Sequence, residues 1–450
     1  TATVFATWFG AELILAVSST FLKEGLQGVV GDPFGAAFCL IFVALFLAAP
    51  YYRLKLMTVG DFYKRRYNRT VELASAAAIS ISYLGWSSAN LVALGIVIHT
   101  VSGNAITLEQ GIVLGAVIVG VYTLFGGMWS VAFTDLFQTV IIVAGLIYIA
   151  WMLAGMAGGV DKVVATAQAS DRLKFFPGAS LHDWLGFIAA FVTMALGSVA
   201  QQDVFQRVTS ARTEKIARQG TLLGGSLYLL MAFIPMFIAV SALLIDPAMV
   251  KQMLSNENDF QQVLPTLILQ RTPLFAQVLF FGALLSAILS TASGTLLAPT
   301  AVITENVIQP LWGHKLSDRK MLVLLRLILI GFTCCVTLFA LQSESSMYQM
   351  VQDAYKVTLV AAFTPLIFGM FWRRATPQGA LLSMACGVVA WQYAEHFMSD
   401  ALVPPQLVGL GSAIVGMIVG SLTPTLLGGQ GHPEIVDLAR QPEVADNPPA

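Results

Sequence analysis

The stretch Phe5-Ala-Thr-Trp-Phe-Gly-Ala-Glu12 places a hydroxyl, an indole N–H, a glycine and a carboxyl inside an apolar run of membrane length. A carboxylate at membrane depth is costly unless it faces a cavity, a partner or an ion. The neighbouring glycine lets the helix loosen, and loosened backbone offers carbonyl oxygens to a cation. This stretch therefore predicts a transport or sensing site within a membrane-spanning helix.

The composition of the whole chain agrees with a membrane protein. Of its 450 residues, 57% are hydrophobic and only 11% are charged, and the mean hydropathy is +0.76. A soluble domain carries roughly 25% charged residues, so we predict a polytopic membrane protein. The net charge of −1 offers no basic footprint for nucleic acid.

Apolar runs of about 20 residues, the length that lets an α-helix cross a bilayer, recur along the chain. They predict an all-α fold with twelve spans, near 1–22, 33–53, 71–101, 109–127, 131–156, 182–207, 216–245, 273–307, 320–341, 348–372, 377–397 and 404–426. The remainder, 427–450, is polar and contains prolines, and it is predicted to be a disordered cytoplasmic tail.

Positive charges orient these spans. Lys and Arg residues crowd the connections that follow spans 2, 6, 8 and 10, which lie on one side if the spans alternate. The opposite connections, 102–108, 157–181, 246–272 and 342–347, hold few cations. Because cytoplasmic loops are enriched in Lys and Arg, we expect a multi-pass protein of the cell membrane with both ends in the cytoplasm.

Five is an odd number, so two successive sets of five spans have opposite orientations in the membrane. We predict a first five-helix repeat at 1–156, an inverted second repeat at 182–372 and two accessory helices at 377–426. Inverted repeats place substrate and ion sites near the midplane, at broken helices. Spans 1 and 8 hold the densest polar clusters within apolar runs.

Span 8 carries Ser286, Ser290 and Ser293 on one helical face by the i, i+4, i+7 rule, with Thr291 beside them. Membrane serines commonly bond to their own helix or allow close helix packing. The density of this cluster, together with the glycine-containing span 1, favours a sodium site, since neutral oxygens suit a hard cation.

Asp135 lies near the cytoplasmic end of span 5, shortly after Gly126-Gly127. Its carboxylate could be stabilised by the dipole of a helix N-terminus, or it could belong to an ion pathway. The residues themselves leave both interpretations open.

The chain resembles the sodium:solute symporters, which include proline, sugar, sialic acid, pantothenate, iodide and choline carriers. The resemblance runs from residue 1 to about 395. It is carried by Ala6-Thr-Trp-Phe-Gly-Ala-Glu12, Gly126-Gly-Met-Trp-Ser-Val-Ala-Phe-Thr-Asp135, Gln202-Asp-Val-Phe-Gln-Arg207, and Ala287-Ile-Leu-Ser-Thr-Ala-Ser293 followed by Ile303-Thr-Glu305. It implies the leucine-transporter-like inverted-repeat fold and alternating access. Family members usually have one more helix before the first span, so we expect that helix to be missing from this chain.

The resemblance also implies where Na⁺ binds. The principal sodium site would use backbone carbonyls of Ala6, Phe9 and Ala287 and the hydroxyls of Ser290 and Thr291. Some members hold a second sodium with the span-5 aspartate and further span-8 serines, a pattern that Asp135 and Ser293 match. Gly294 falls where those members have another serine.

Substrate residues follow less directly from the resemblance. Trp8 resembles a position where choline carriers present a tryptophan for cation–π contact, but their span-6 tryptophan is replaced here by Gln201 or its neighbour. Glu12 matches a carboxylate of sugar-transporting members. Asp32 falls roughly where those members place a substrate-binding acid, although Asp32-Pro33 is favoured as an N-cap followed by proline at N1. Further candidates to line the cavity are Trp86 and Asn90 in span 3 and Gln201 and Gln202 in span 6.

We therefore predict a symporter that imports a small organic solute with Na⁺. One alternative is a solute-sensing input module of a signalling protein, and another is a proton-coupled symporter in which Glu12 or Asp135 carries the proton. An enzyme is not expected, because the sequence has no HExxH, nucleophile elbow or phosphate loop.

Overall fold

The computed structural model describes residues 1–255, 260–312, 317–398, 401–424 and 432–440, leaving aside the side chains of 127–132, 312 and 438–440. Within these ranges the chain is helical and contains no β-strand, which confirms the predicted all-α fold. The helices of the first half are α1 Ala2–Trp8, α2 Glu12–Gly28, α3 Val30–Leu54, α4 Val59–Arg66, α5 Arg69–Val101, α6 Leu108–Ala157 and α7 Val160–Ala169. Those of the second half are α8 Leu181–Ala200, α9 Gln202–Thr209, α10 Glu214–Ile245, α11 Pro247–Leu254, α12 Val263–Arg271, α13 Leu274–Leu311, α14 Asp318–Gln342, α15 Met347–Phe371, α16 Pro377–Phe397, α17 Pro405–Leu422 and α18 Glu434–Arg440.

Eleven of the twelve predicted spans are long and apolar enough to cross a membrane, counting the bent pair α1–α2 as one span. The twelfth, at 377–397, is the 21-residue helix α16, which is not among the helices that qualify. Helix α16 packs closely on α17 through glycines, since a Cβ added at Gly420 would lie 2.8 Å from the Cα of Gly379. Small residues of this kind let neighbouring membrane helices approach each other.

The predicted spans 109–127 and 131–156 both lie within the helical segment α6, which is 50 residues long. A straight helix would separate Tyr122 from Thr134 by about 18 Å, at 1.5 Å per residue. Their hydroxyl oxygens are instead 2.8 Å apart. The segment therefore bends sharply between these two residues, and its two halves act as separate spans.

The opening stretch of the sequence forms a break between α1 and α2. Helix α1 ends at Trp8, Phe9 leaves the helical region with φ −82° and ψ 71°, and α2 continues at an angle of 54°. Helix α2 begins with a wide π-type turn at Glu12–Val17, a feature often found at functional sites. The sequence predicts loosened backbone next to Gly10, and the break between α1 and α2 agrees with this prediction.

A second break interrupts the predicted span 182–207. Helix α8 ends in a 3₁₀ turn at Ser198–Ala200, Gln201 is extended with ψ 140°, and α9 starts at Gln202. The three consecutive polar residues 201–203 favour this break because their side chains find partners outside the helix. The first helix of each predicted repeat is thus broken, as expected if the two repeats are structurally related. The repeat boundaries 1–156 and 182–372 stay a prediction.

Connections that are rich in positive charge gather at one end of the bundle. Arg53 forms a salt bridge of 2.7 Å with Glu214, and the buried Arg66 donates to the main-chain oxygen of Gly369 at 2.9 Å. We refer to the end that contains residues 53–69 and 207–218 as the basic end.

The C-terminal segment also lies at the basic end. Residues 432–440 were predicted to be disordered, but α18 packs there, with Ile435 and Val436 buried. The backbone N–H of His432 donates to the carbonyl of Arg66. The rest of the predicted tail, 425–431 and 441–450, lies outside the described residues.

Candidate functional site

The break between α1 and α2 faces the serine-rich part of α13. In an uninterrupted helix the N–H of Gly10 would bond to the carbonyl of Ala6, but it donates instead to the carbonyl of Trp8 at 3.0 Å. The Ala6 carbonyl accepts a hydrogen bond of 3.4 Å from the Thr291 hydroxyl. Two of the five predicted sodium ligands, Ala6 and Thr291, are therefore in contact, with a main-chain oxygen released by the break.

The other predicted sodium ligands lie beside this contact. Ala287 and Ser290 are one turn apart on α13, and Phe9 is the residue at the break; all three are completely buried. The Ser290 hydroxyl donates to Asp135 Oδ1 at 2.6 Å. Span 5 and span 8 are thereby joined at the positions that the family resemblance implied.

Asp135 is buried in the protein, and its second oxygen, Oδ2, has no hydrogen-bond donor among the described residues. The residue lines a cavity of about 260 Å³ at the basic end, together with Gln206, Arg207 and Gly294. A buried carboxylate that lines a cavity suits an ion pathway. Asp135 lies just after the bend of α6, at the start of the second half, so the dipole interpretation and the ion-pathway interpretation both stay predictions.

The predicted second sodium site differs from the first. The Ser293 hydroxyl donates to the carbonyl of Ser290 in its own helix at 2.9 Å. Gly294 has no side chain there, and a Cβ added to it would lie 3.3 Å from Nη2 of Arg207. A guanidinium thus lies close to the position where some relatives of the predicted family place a hydroxyl.

Glu12 lies on the other side of the break. The indole N–H of Trp86 donates to Glu12 Oε1 at 2.8 Å, while Oε2 has no donor among the described residues. A Cβ added at Gly10 would clash with Oε2 and would lie 2.8 Å from the Thr291 hydroxyl oxygen. The unpartnered carboxylate oxygen is therefore near the predicted sodium ligands.

An aromatic cluster surrounds Trp8 in the middle of the bundle. The Trp8 ring lies 6.0 Å from Trp86 and 6.4 Å from Tyr228, both edge to face. Trp86 stacks on Tyr83 at 5.9 Å and contacts Tyr355 at 5.7 Å. We call these five residues the aromatic cluster. It brings together two of the predicted substrate residues, Trp8 and Trp86.

Asp203 is the central residue that the sequence prediction missed. Its Oδ2 accepts the indole N–H of Trp8 at 2.8 Å, and its Oδ1 accepts the hydroxyl of Tyr83 at 2.6 Å. The side chain is completely buried at the break before α9. The signal was present in the sequence, since Gln201-Gln202-Asp203 is a polar run within an apolar span.

Asp32 also belongs to this region. Its backbone is extended, with φ −128° and ψ 119°, directly before Pro33, as the N-cap interpretation expects, but no hydrogen bond from the described residues of the following helix reaches its carboxylate. Its carboxylate instead accepts a hydrogen bond from the hydroxyl of Tyr228, which is far away in the sequence. The tertiary contact outcompetes the local one because Asp32 is buried between helices, where a carboxylate needs a donor.

The remaining predicted substrate residues lie around the cluster in different settings. Gln201 donates to Ser82 at 2.6 Å, close to Tyr83. Asn90 donates to the carbonyl of Trp86 in its own helix at 3.0 Å. Gln202 points the other way, since its oxygen accepts the backbone N–H of Val59 at the basic end. The structure thus does not bring Gln202 to the aromatic cluster.

The chemistry of the predicted sodium ligands fits Na⁺. Carbonyl and hydroxyl oxygens are hard ligands, and the nearby carboxylates Glu12 and Asp135 each keep one oxygen without a donor among the described residues. Buried acceptors of this kind are normally satisfied. A cation bound between the break and α13 would interact with these carboxylate oxygens. Their negative charge would then not need a positive partner within the protein.

Comparisons with known proteins identify the family of this chain. The model of the "Sodium:solute symporter family" matches residues 1–387. High-affinity choline transporter 1 of Torpedo marmorata is 25% identical over 86% of this chain and 66% of its own length. The high-affinity proline transporter PutP of Bacillus subtilis is 25% identical over 87% of this chain and 82% of its own length. The chain spans slightly less than two thirds of that choline transporter.

Solved structures confirm the predicted leucine-transporter-like fold. A Na⁺-coupled sialic acid symporter in a substrate-bound outward-open state superposes with a TM-score of 0.78 at 18% identity, covering 96% of this chain and 90% of its own. MhsT in complex with L-phenylalanine gives a TM-score of 0.57 at 13% identity, covering 93% and 96%. The match of the family model over residues 1–387 shows that the chain belongs to the sodium:solute symporter family.

Proposed function

We propose that this chain imports a small organic solute together with Na⁺ by alternating access. The observation that carries the proposal is the contact between the released Ala6 carbonyl and the Thr291 hydroxyl, 3.4 Å apart. It brings the broken helix and the serine-rich helix together as the two halves of an ion site. Membership of the family supports Na⁺ as the coupling ion.

Within this proposal, Na⁺ binds to the oxygens of Ala6, Phe9, Ala287, Ser290 and Thr291. The solute binds on the other side of the break, at the aromatic cluster. Since one helix contributes to both sites, occupancy of the first site changes the shape of the second. Coupling arises because the two ligands together stabilise a state that neither stabilises alone.

The proposed exit route for the ion lies at the basic end. The cavity there reaches Asp135, which accepts the hydroxyl of Ser290. An ion that leaves Ser290 would meet this carboxylate next and then the cavity. The excess of Lys and Arg at the same end supports a cytoplasmic location for the basic end and for the C-terminus.

The proposal is tested by uptake into liposomes that contain the purified chain. A panel of amino acids, sugars, carboxylates and amines is offered with an inward Na⁺ gradient and, separately, with an equal K⁺ gradient. We expect at least one solute to accumulate only with Na⁺. Accumulation that follows a proton gradient and ignores Na⁺ would support the proton-coupled alternative, and absence of any accumulation would contradict symport.

The sensing alternative gains nothing from the comparisons, because the relatives and the structural neighbours are transporters. The same relatives give no reason to expect an enzyme.

A further inference from the structure

Three buried carboxylates surround the aromatic cluster. Glu12 of α2, Asp32 of α3 and Asp203 of α9 are 4%, 3% and 0% exposed. Each accepts a hydrogen bond from a member of the cluster, namely Trp86, Tyr228, and Trp8 with Tyr83, respectively. The centre of the bundle is thus both aromatic and strongly acidic.

These carboxylates have no positive partner in the part of the chain that the structure describes. None of the ion pairs found there involves them. Arg207 lies near, but it donates to main-chain oxygens, at 3.1 Å to Thr3 and 3.4 Å to Asp203. Indole and phenol groups are neutral donors, so they orient the carboxylates without balancing the charge. A buried charge without compensation is costly.

One Na⁺ ion at the proposed site cannot balance all three. Glu12 is the carboxylate nearest to that site, through Gly10 and Thr291. Asp32 and Asp203 bond to different aromatic residues, and no group of three or more acidic, His or Cys side chains in the described part of the chain is arranged to hold a metal ion. Asp32 and Asp203 therefore lie at separate positions around the aromatic cluster, where a single metal ion does not balance them.

Like the carboxylates, the aromatic rings favour a positively charged ligand. The faces of tryptophan and tyrosine attract cations through the ring quadrupole. The N–H of Trp8 is already bound to Asp203, so the part of this ring that remains for a ligand is its π face. Asp203 itself has accepted two hydrogen bonds, although a carboxylate offers about four acceptor positions.

We propose that the co-transported solute is a small organic cation with an ammonium N–H, bound by Asp203 and by the ring of Trp8. This inference rests on the proposed sodium symport. An ammonium N–H suits the site better than a quaternary nitrogen, because the remaining acceptor positions of Asp203 need a donor.

The test uses the full chain in detergent and in liposomes. Thermal stabilisation in the presence of Na⁺ is measured with ethanolamine, putrescine and lysine as ammonium probes. Choline is the quaternary probe, proline the zwitterionic one and glucose the neutral one. Hits are then measured as Na⁺-driven uptake. We expect at least one ammonium probe to bind and to be transported, ahead of the quaternary and neutral probes.

The Asp203→Asn variant keeps the size of the side chain and removes its charge. It should raise the apparent Kd of the ammonium solute by about tenfold or more, the typical loss for a hydrogen bond to a charged group. Asp161→Asn, on the exposed surface of α7, should have no effect. Stabilisation by Na⁺ alone should survive in Asp203→Asn, which shows that this variant is folded.

The outcomes separate the two proposals. Na⁺-driven uptake of proline or glucose in preference to every ammonium probe would overturn the cation assignment and leave symport standing. Equal transport of an ammonium solute by Asp203→Asn and by the unmodified chain would overturn the cation assignment as well. If Na⁺ drives the uptake of no solute at all, the proposed function itself fails, and the cation assignment fails with it.

Discussion

The hydroxyl of Ser290 donates a hydrogen bond of 2.6 Å to Asp135 Oδ1. Because its proton is directed to the carboxylate, the lone pairs of this hydroxyl remain for a cation at the break. The carboxylate in turn faces the cavity at the basic end. The two residues link the proposed sodium site with its proposed exit.

Asp135→Asn tests this link. Asparagine still accepts the hydrogen bond from Ser290, but the negative charge is removed. We expect the Na⁺ concentration for half-maximal uptake to rise about tenfold, since a charge near an ion contributes on the order of 1–2 kcal/mol in a partly buried site. A Na⁺ dependence identical to that of the unmodified chain would contradict a role for this carboxylate in the ion pathway.

We expect one sodium ion to be transported with each solute. Ser293 bonds to its own helix and Gly294 offers no hydroxyl, so we expect uptake to depend on Na⁺ with a Hill coefficient close to one. Ser293→Ala should change this dependence less than twofold. A sigmoidal curve that becomes hyperbolic in Ser293→Ala would instead show that Asp135 and Ser293 hold a second ion.

Gly10 gives a steric test of the break. A methyl group there would lie 2.8 Å from the Thr291 hydroxyl oxygen and closer still to Glu12. Gly10→Ala should therefore lower the rate of uptake by about tenfold or more, in line with the cost of overpacking a buried site. Gly282→Ala on α13 is the matched control, because a Cβ there meets nothing within 4 Å. Equal rates in both variants would contradict the close approach.

Much of this site could be predicted from the sequence. Gly10 within an apolar run predicts the break, and the i, i+4, i+7 serines predict the polar face of α13. Both signals are local, so they need no knowledge of the fold. The family resemblance then places these two helices side by side, which the hydrogen bond from Thr291 to Ala6 shows directly.

Asp203 and Asp32 show why the rest could not be predicted. The partner of Asp203, Trp8, lies 195 residues away in the sequence, and that of Asp32, Tyr228, lies 196 residues away. Such contacts depend on how helices pack, which no periodicity reveals. The N-cap interpretation of Asp32 fits its extended backbone before Pro33, but a local rule cannot reveal the distant hydroxyl that its carboxylate binds.

Helix α18 is docked at the basic end through buried side chains. Val436 is completely buried, whereas its neighbour Glu434 is exposed. Val436→Asp would bury a charge without a partner, at a cost of several kcal/mol, so α18 should detach. We expect limited proteolysis within 432–440 to become severalfold faster. Glu434→Gln is the control, and equal cleavage of both variants would argue against docking.

Asp246 gives a prediction about acid stability. The hydrogen bond from the Arg271 side chain, followed by that from the Met249 backbone, lowers the pKa of Asp246 below its ordinary value. A carboxyl with a depressed pKa stabilises the fold above its unfolded value of about 3.9 and loses this effect as the pH falls through the folded pKa. Below pH 4, the melting temperature of Asp246→Asn should therefore fall less than that of the unmodified chain. A parallel loss in both would exclude this contribution.

The central claim is that Na⁺ binds between the break and α13. It is tested most directly by titrating the purified chain with NaCl and following its melting temperature at constant ionic strength, with KCl as the balancing salt. The unmodified chain should show saturable stabilisation by Na⁺, and the double variant Ser290→Ala, Thr291→Ala should lose it. Equal, saturable stabilisation of both proteins by Na⁺ would contradict the site.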